Sequence, residues 1–221
     1  VTPLQPDQVA GLYRWWAADK ETAYTDGSPV THLSNQSGTS VPQMLGQQPA
    51  IYRTNILNGL PVLRFDGVSM RYYELSNIIS VAQPFTLFVV ARTVGSAPAG
   101  SLYTMIGDTS LAFAIDSNGS LYVSGGAILL GAGPFTDAFH VFVAVYNGAT
   151  SRAYTDGVLL NTGDTGSALQ PLTGNFGLGF YSPLGSYYFQ GDIPEVLVYS
   201  GNISDANIKG LTQGLKNKYG L

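Results

Sequence analysis

Residues Pro84 to Arg92 read PFTLFVVAR. In an extended chain Phe85, Leu87, Val89 and Ala91 point to one side, and Thr86, Phe88, Val90 and Arg92 to the other. Both sides are largely apolar, so the stretch reads as an inner strand and not an edge. His140 to Tyr146 (HVFVAVY) and Glu195 to Tyr199 (EVLVY) have the same character. Three buried strands so far apart in sequence imply long-range antiparallel pairing. The fold class that follows is all-β, a sandwich of two sheets.

Composition supports this. The chain has 221 residues, 45% hydrophobic and 11% charged, with 27 Gly and 12 Pro, which suits many strands joined by tight turns. All-β units of this length commonly fold as one domain, and a single domain over residues 1–221 is expected. The opening VTPLQPDQV reads as the trailing end of a linker, as though the domain were cut from a longer modular protein. It shows no basic segment followed by an apolar one, and no apolar run approaches the roughly 20 residues that span a bilayer. With net charge −4 and no basic stripe, neither nucleic-acid binding nor membrane insertion is expected. The absence of cysteine excludes a disulfide framework and a thiolate metal site.

Around the inner strands the chain divides into short elements. A helical turn near Pro6 precedes a strand at Leu12–Ala17 (LYRWWA), where adjacent Trp15 and Trp16 must face opposite sides. Either both faces are buried there or one ring lies near solvent. Val30–Leu33 reads as a short strand, and the Gln- and Ser-rich stretch 35–48 as a surface loop. Asn58-Gly59 is a turn feeding the strand of LPVLRFDG. Leu102–Ile106, Leu111–Ile115 and Leu121–Val123 are meander strands separated by turns, one of them Asp116-Ser117-Asn118-Gly119. Asp156-Gly157 in RAYTDGVLL is the strongest hairpin signal. At the end, Ser204 can cap a helix whose Ile208, Leu211, Leu215 and Tyr219 share one face, with Gly220 as its C-terminal stop. That helix should pack on the sandwich.

GLYRWWAAD, VTHLSNQSG, QPAIYRTNILNGLPVLRFDG, QPFTLFVVAR and the closing GDIPEVLVYSGNISDANIKGLTQGLKNKYGL occur in that order. In this the chain resembles laminin-G-like domains of the concanavalin A-like lectin/glucanase superfamily. The resemblance implies a two-sheet jelly roll of the kind found in bacterial surface and phage virion proteins, hence an extracellular, cell-surface or virion location. It does not account for Trp16, since the family carries an aliphatic and then a small or acidic residue after its tryptophan.

The fold hosts both binding modules and enzymes, so function must come from side chains. A glycosidase needs two carboxylates about 5–9 Å apart across the scissile bond. Glu21, Glu74 and Glu195 are the only glutamates, and none has a carboxylate at alternate-strand spacing on a strand. His32 and His140 sit outside any motif and read as structural. An enzyme is therefore not expected. Neither is a cofactor, although scattered loop residues such as Asp26, Asp108 and Asp164 leave calcium open.

A saccharide offers an apolar ring face rimmed by hydroxyls, which an exposed aromatic platform with nearby polar side chains can hold. The candidates are Trp16, Arg71, Tyr72, Tyr73, Tyr187 and Tyr188, with Tyr181 beside them. Two readings stay open. One is a non-catalytic carbohydrate-binding or host-attachment module whose partner is a glycan or cell-surface polysaccharide. The other is a structural domain whose aromatics contact further copies of itself or virion proteins.

Overall fold

The computed structural model describes residues 1–38, 44–74, 82–107, 111–166, 177–180 and 187–221. For Met44, Gln47, Arg71, Tyr73 and Glu74 the description covers the backbone. Among the described residues the strands are, in chain order, β1 (Leu12–Ala17), β2 (His32–Leu33), β3 (Met44–Gln48), β4 (Ile51–Leu57), β5 (Leu60–Asp66), β6 (Arg71–Glu74), β7 (Phe85–Thr93) and β8 (Leu102–Gly107). They continue with β9 (Ala112–Asp116), β10 (Leu121–Ser124), β11 (Ile128–Gly131), β12 (His140–Tyr146), β13 (Ser151–Thr155), β14 (Val158–Gly163), β15 (Gly177–Leu178) and β16 (Gln190–Ser200). One helix, α1 (Asp205–Tyr219), follows.

The strands form two antiparallel sheets packed as a jelly-roll sandwich. Each has eight strands among the described residues; the larger, with the longer strands, runs β14-β13-β12-β7-β16-β5-β4, with β1 also paired to β16, and the smaller, with the shorter strands, runs β11-β10-β9-β8-β15-β6-β3-β2. The three inner strands anticipated from their two apolar faces are neighbours: β7 lies between β12 and β16 along most of its length. Strand β16 pairs with β5 up to Ile193 and with β1 from Glu195. The change of partner falls at Pro194, which has no N–H to offer a ladder.

The alternation of β7 sorts its side chains into two cores. Phe85, Leu87, Val89 and Ala91 join the core between the sheets, together with Phe113, Val123, Phe142 and Val198. Phe88 and Val90 join a second core, with Val141, Val143, Leu197 and Tyr199, which α1 closes from outside with Ile208, Leu211, Leu215 and Tyr219. Ser204 accepts a hydrogen bond from Asn207 N, and Gly220 stops the helix in the left-handed region at φ +69°.

Strand β1 shows why two tryptophans stand side by side. Trp16 enters the inter-sheet core, and Trp15 packs against the core under α1, so both faces of β1 are covered. The stretch 35–48, expected to be a loop, contains β3 between β2 and β6. Its Gln-rich composition hid a strand that forms because β6 supplies a partner, and pairing overrides weak β-propensity. The β4–β5 and β13–β14 hairpins turn at Asn58-Gly59 and Asp156-Gly157, all four residues at positive φ as tight two-residue turns require.

The N-terminal segment crosses α1 at two glycines. Leu4 N donates to Gly210 O at 2.9 Å, and a Cβ on Gly214 would stand 2.0 Å from Leu4 O. In an exposed helix interior Gly→Ala stabilises by about 1 kcal/mol. Here Gly214→Ala is expected to lower stability by about 1–3 kcal/mol, because it overpacks that crossing. Urea unfolding measures the sign, and a gain in stability would show that the segment does not dock there.

Candidate functional site

The outer face of the larger sheet is largely occupied by α1, which leaves the outer face of the smaller sheet for a ligand. There β10 and β11 alternate strictly between buried and more exposed side chains, and their register fixes which side chains of β9 share the outer face. Tyr103, Phe113, Val123 and Leu129 point inward to the core, so Leu102, Ala112, Tyr122, Ser124, Ile128 and Leu130 point outward. Cross-strand register sets them in rows: Ser124 stands opposite Ala112 and Ile128, Tyr122 opposite Leu130, and Leu102 opposite Asp116. Tyr187 closes one side, its carbonyl accepting a hydrogen bond from Thr104 N at 3.3 Å.

Together these residues, with Gly100, Ser101 and Ser117, line an open groove of about 390 Å³. That is within the range of small-molecule sites. Tyr122 and Tyr187 are both half-buried. The groove's one charged side chain among the described residues is Asp116, whose Oδ1 accepts from Asn118 N and Ser120 N, both at 2.8 Å. The turn expected at Asp116–Gly119 thus also orients a carboxylate at the groove wall.

The aromatic candidates divide. Tyr187 lies at the groove, and Tyr188 beside it is half-buried. Trp16 and Tyr72, expected on an exposed platform, are 2% and 0% exposed. Trp16 fills the inter-sheet core. The Tyr72 hydroxyl donates to Val30 O at 2.8 Å and accepts from Ala50 N at 3.1 Å, tying β6 to the segments just before β2 and β4. Burial raises the Tyr72 phenol well above its ordinary pKa, so it remains a donor. The side chains of Arg71 and Tyr73 and the whole of Tyr181 lie outside the described residues. Tyr122 was missed, although the alternation of LYVS between inward Leu121 and Val123 marks it as outward.

The buried carboxylates are committed elsewhere. Glu195 Oε1 accepts from Trp15 Nε1 at 2.6 Å, and its Oε2 accepts from Lys218 Nζ at 2.8 Å and Tyr219 Oη at 2.7 Å. Lys218 also donates to Asp19 at 2.9 Å. Burial, and then the charges of Glu195 and Asp19, push the Tyr219 phenol up and keep its proton in place. Asp192 receives Arg64 Nε at 2.7 Å and Arg64 Nη2 at 3.0 Å, and pairs with Arg92 as well. Glu21 accepts from Ser34 N at 2.5 Å; burial raises its pKa against the lowering effect of that bond.

The two histidines have local partners. His140 Nδ1 lies 2.7 Å from Asp156 Oδ2 at the start of β12, and His32 Nδ1 lies 2.9 Å from Thr31 Oγ1. Among the described residues no group of three or more His, Asp or Glu side chains converges as a metal site. Asp26 pairs with Arg53 and accepts from Thr54 N, and Asp164 accepts from Gly166 N; Asp108 lies outside the described residues. No described helix is long and apolar enough to cross a membrane.

A sequence model of the concanavalin A-like lectin/glucanases superfamily matches residues 76–209, more than half of the chain. The chain belongs to this superfamily. Comparison with curated protein sequences finds no match. Among solved structures, this superfamily member is similar to domain 4 of AbnA, a GH43 extracellular arabinanase from Geobacillus stearothermophilus, in complex with arabinotriose. The TM-score is 0.68 at 14% identity, over 91% of this chain and 98% of that one. The binding domain of Paraclostridial Mosquitocidal Protein 1 aligns with TM-score 0.70 at 11% identity, over 96% of this chain and 54% of that one. A mutant of Trypanosoma rangeli sialidase displaying trans-sialidase activity aligns with TM-score 0.65 at 17% identity, over 95% of this chain. The chain spans about a third of that sialidase's length, 33%. At these identities the likeness is one of fold.

Removing the Glu195 acceptor leaves the Lys218 ammonium with one partner and the Trp15 indole with a weaker one. Glu195→Gln is therefore expected to cost about 2–3 kcal/mol of folding stability. Thermal or urea unfolding checks this, and a variant as stable as the parent would mean that the network does not hold α1 to β16.

Proposed function

We propose that this domain is a non-catalytic carbohydrate-binding or surface-attachment module, acting outside the cell, on a cell surface or on a virion, as one unit of a longer protein. The groove on the smaller sheet is where the glycan would lie. The observation that carries this reading is the groove's composition. Two half-buried tyrosine rings and the aliphatic Ile128 and Leu130 offer apolar surface beside the hydroxyls of Ser101, Ser117 and Ser124 and the Asp116 carboxylate. A sugar needs this pairing, because its C–H face must leave water while its hydroxyls keep hydrogen-bond partners.

The arabinanase domain of similar fold, solved with a trisaccharide, supports the same assignment. Against catalysis stand the roles of Glu195, Asp192 and Glu21, each held by structural hydrogen bonds. Asp116 is the one carboxylate at the groove among the described residues, so the paired arrangement of a glycosidase lacks its second member there.

One observation favours self-association as a second reading. Ile128 and Leu130 on β11 and Val158 and Leu159 on β14 are exposed aliphatics on the end strands of the two sheets, which Asn161 Nδ2 links by donating to Leu130 O at 2.8 Å. Exposed apolar surface on end strands is a common site of protein contact.

A glycan array probed with the purified chain separates the two. Binding is expected for the parent and should weaken by at least about tenfold in Tyr122→Ala and in Ser124→Trp, which fills the groove, with circular dichroism unchanged. A blank array together with concentration-dependent sedimentation would favour the assembly reading.

A further inference from the structure

Positive charge is distributed unevenly along this chain. Between Arg92 and Lys209 the only Lys or Arg is Arg152. Arg152 lies on β13 in the larger sheet and is committed there: it pairs with Asp205 and donates to Asn202 Oδ1 at 2.5 Å and Ile203 O at 3.0 Å. Strands β8 to β11 and the approach to Tyr187 all fall within the remaining, cation-free stretches. Residues 108–110 (DTS) and 181–186 (YSPLGS) also contain no Lys or Arg. In the smaller sheet the one cationic residue is Arg71 on β6, and β15 separates β6 from β8. At the groove itself the charge is negative, from Asp116.

We infer that the groove takes uncharged saccharides and discriminates against acidic ones, an inference that rests on the carbohydrate-binding function proposed above. Sialic and uronic acids and sugar sulfates are anions at neutral pH. Binding one requires stripping water from a carboxylate or sulfate, and proteins offset that cost with Arg or Lys donors, often in bidentate geometry. Among the described residues no Lys or Arg lines this groove, and an acidic sugar would meet a carboxylate of its own sign.

A neutral sugar meets neither obstacle. Its hydroxyl can donate to the Asp116 carboxylate, and its ring face can lie on Tyr122 and the neighbouring aliphatics. With no opposite charges to screen, its affinity should depend little on ionic strength.

Isothermal titration calorimetry on the full chain tests this. The probes are neutral arabino-, xylo-, gluco- and galacto-oligosaccharides on one side, and sialyllactose and oligogalacturonate on the other, each at low and high NaCl. Neutral ligands are expected to bind with a Kd that moves less than about twofold with salt. Acidic ones should bind at least about tenfold more weakly or not at all. Ser124→Lys, which places a cation in the groove, should narrow that gap and make acidic-ligand binding fall with salt. Acidic saccharides bound as tightly as neutral ones by the parent would overturn the inference and leave the carbohydrate-binding function standing. A parent that binds neither class would overturn that function and this inference with it. A preference unchanged in Ser124→Lys would overturn the assignment to this groove.

Discussion

Strand β7 buries every side chain from Phe85 to Ala91, and it can do so because a separate layer dries each of its faces. One face needs the smaller sheet and the other needs α1. A helix that contributes no chemistry of its own is therefore a structural requirement of the central strand. The same requirement limits where a ligand can bind. With α1 and the N-terminal segment over much of the larger sheet, the broad open face that remains belongs to the smaller sheet, and the groove is found there.

Charge follows a related logic. The larger sheet and its helix hold the buried ion pairs, Glu195 with Lys218 and Asp192 with two arginines. Those pairs take up two of the six arginines and, among the described residues, two of the three buried carboxylates. The smaller sheet is left almost without cations. Among the described residues its groove is consequently a surface of rings, hydroxyls and a single carboxylate, suited to hydrogen-bonding an uncharged ligand and poorly suited to neutralising an anion.

The aromatic residues show how far side-chain type can be read without coordinates. The cluster Met70 to Glu74 looks exposed in sequence because charges flank the rings. Yet Tyr72 sits in the core, since its hydroxyl finds Val30 O and Ala50 N inside the protein and the ring can then be dry. Trp16 is buried because its side of β1 faces the core between the sheets, and nothing in LYRWWA reveals that the other side, with Trp15, is covered too, by a helix about 190 residues later. Tyr122 was legible through strict alternation, and Tyr187 through its place in an aromatic-rich segment. That the two flank one groove was not legible, because β10 and the segment before β16 meet only through β8 and β9.

The sequence by itself determined the inner strands, their antiparallel pairing, the type I′ hairpins, the capped terminal helix and the superfamily. All of these rest on local periodicity, on glycine and asparagine at turns, or on the order of short motifs. It also determined that a long run of the chain would be free of cations, which no folding can change. Tertiary structure alone decided which aromatics face water, that β3 is a strand, that Glu195 is a structural acceptor, and that a groove exists. Each of these depends on what packs across from a residue, and that partner comes from a distant part of the chain, where no local pattern records it.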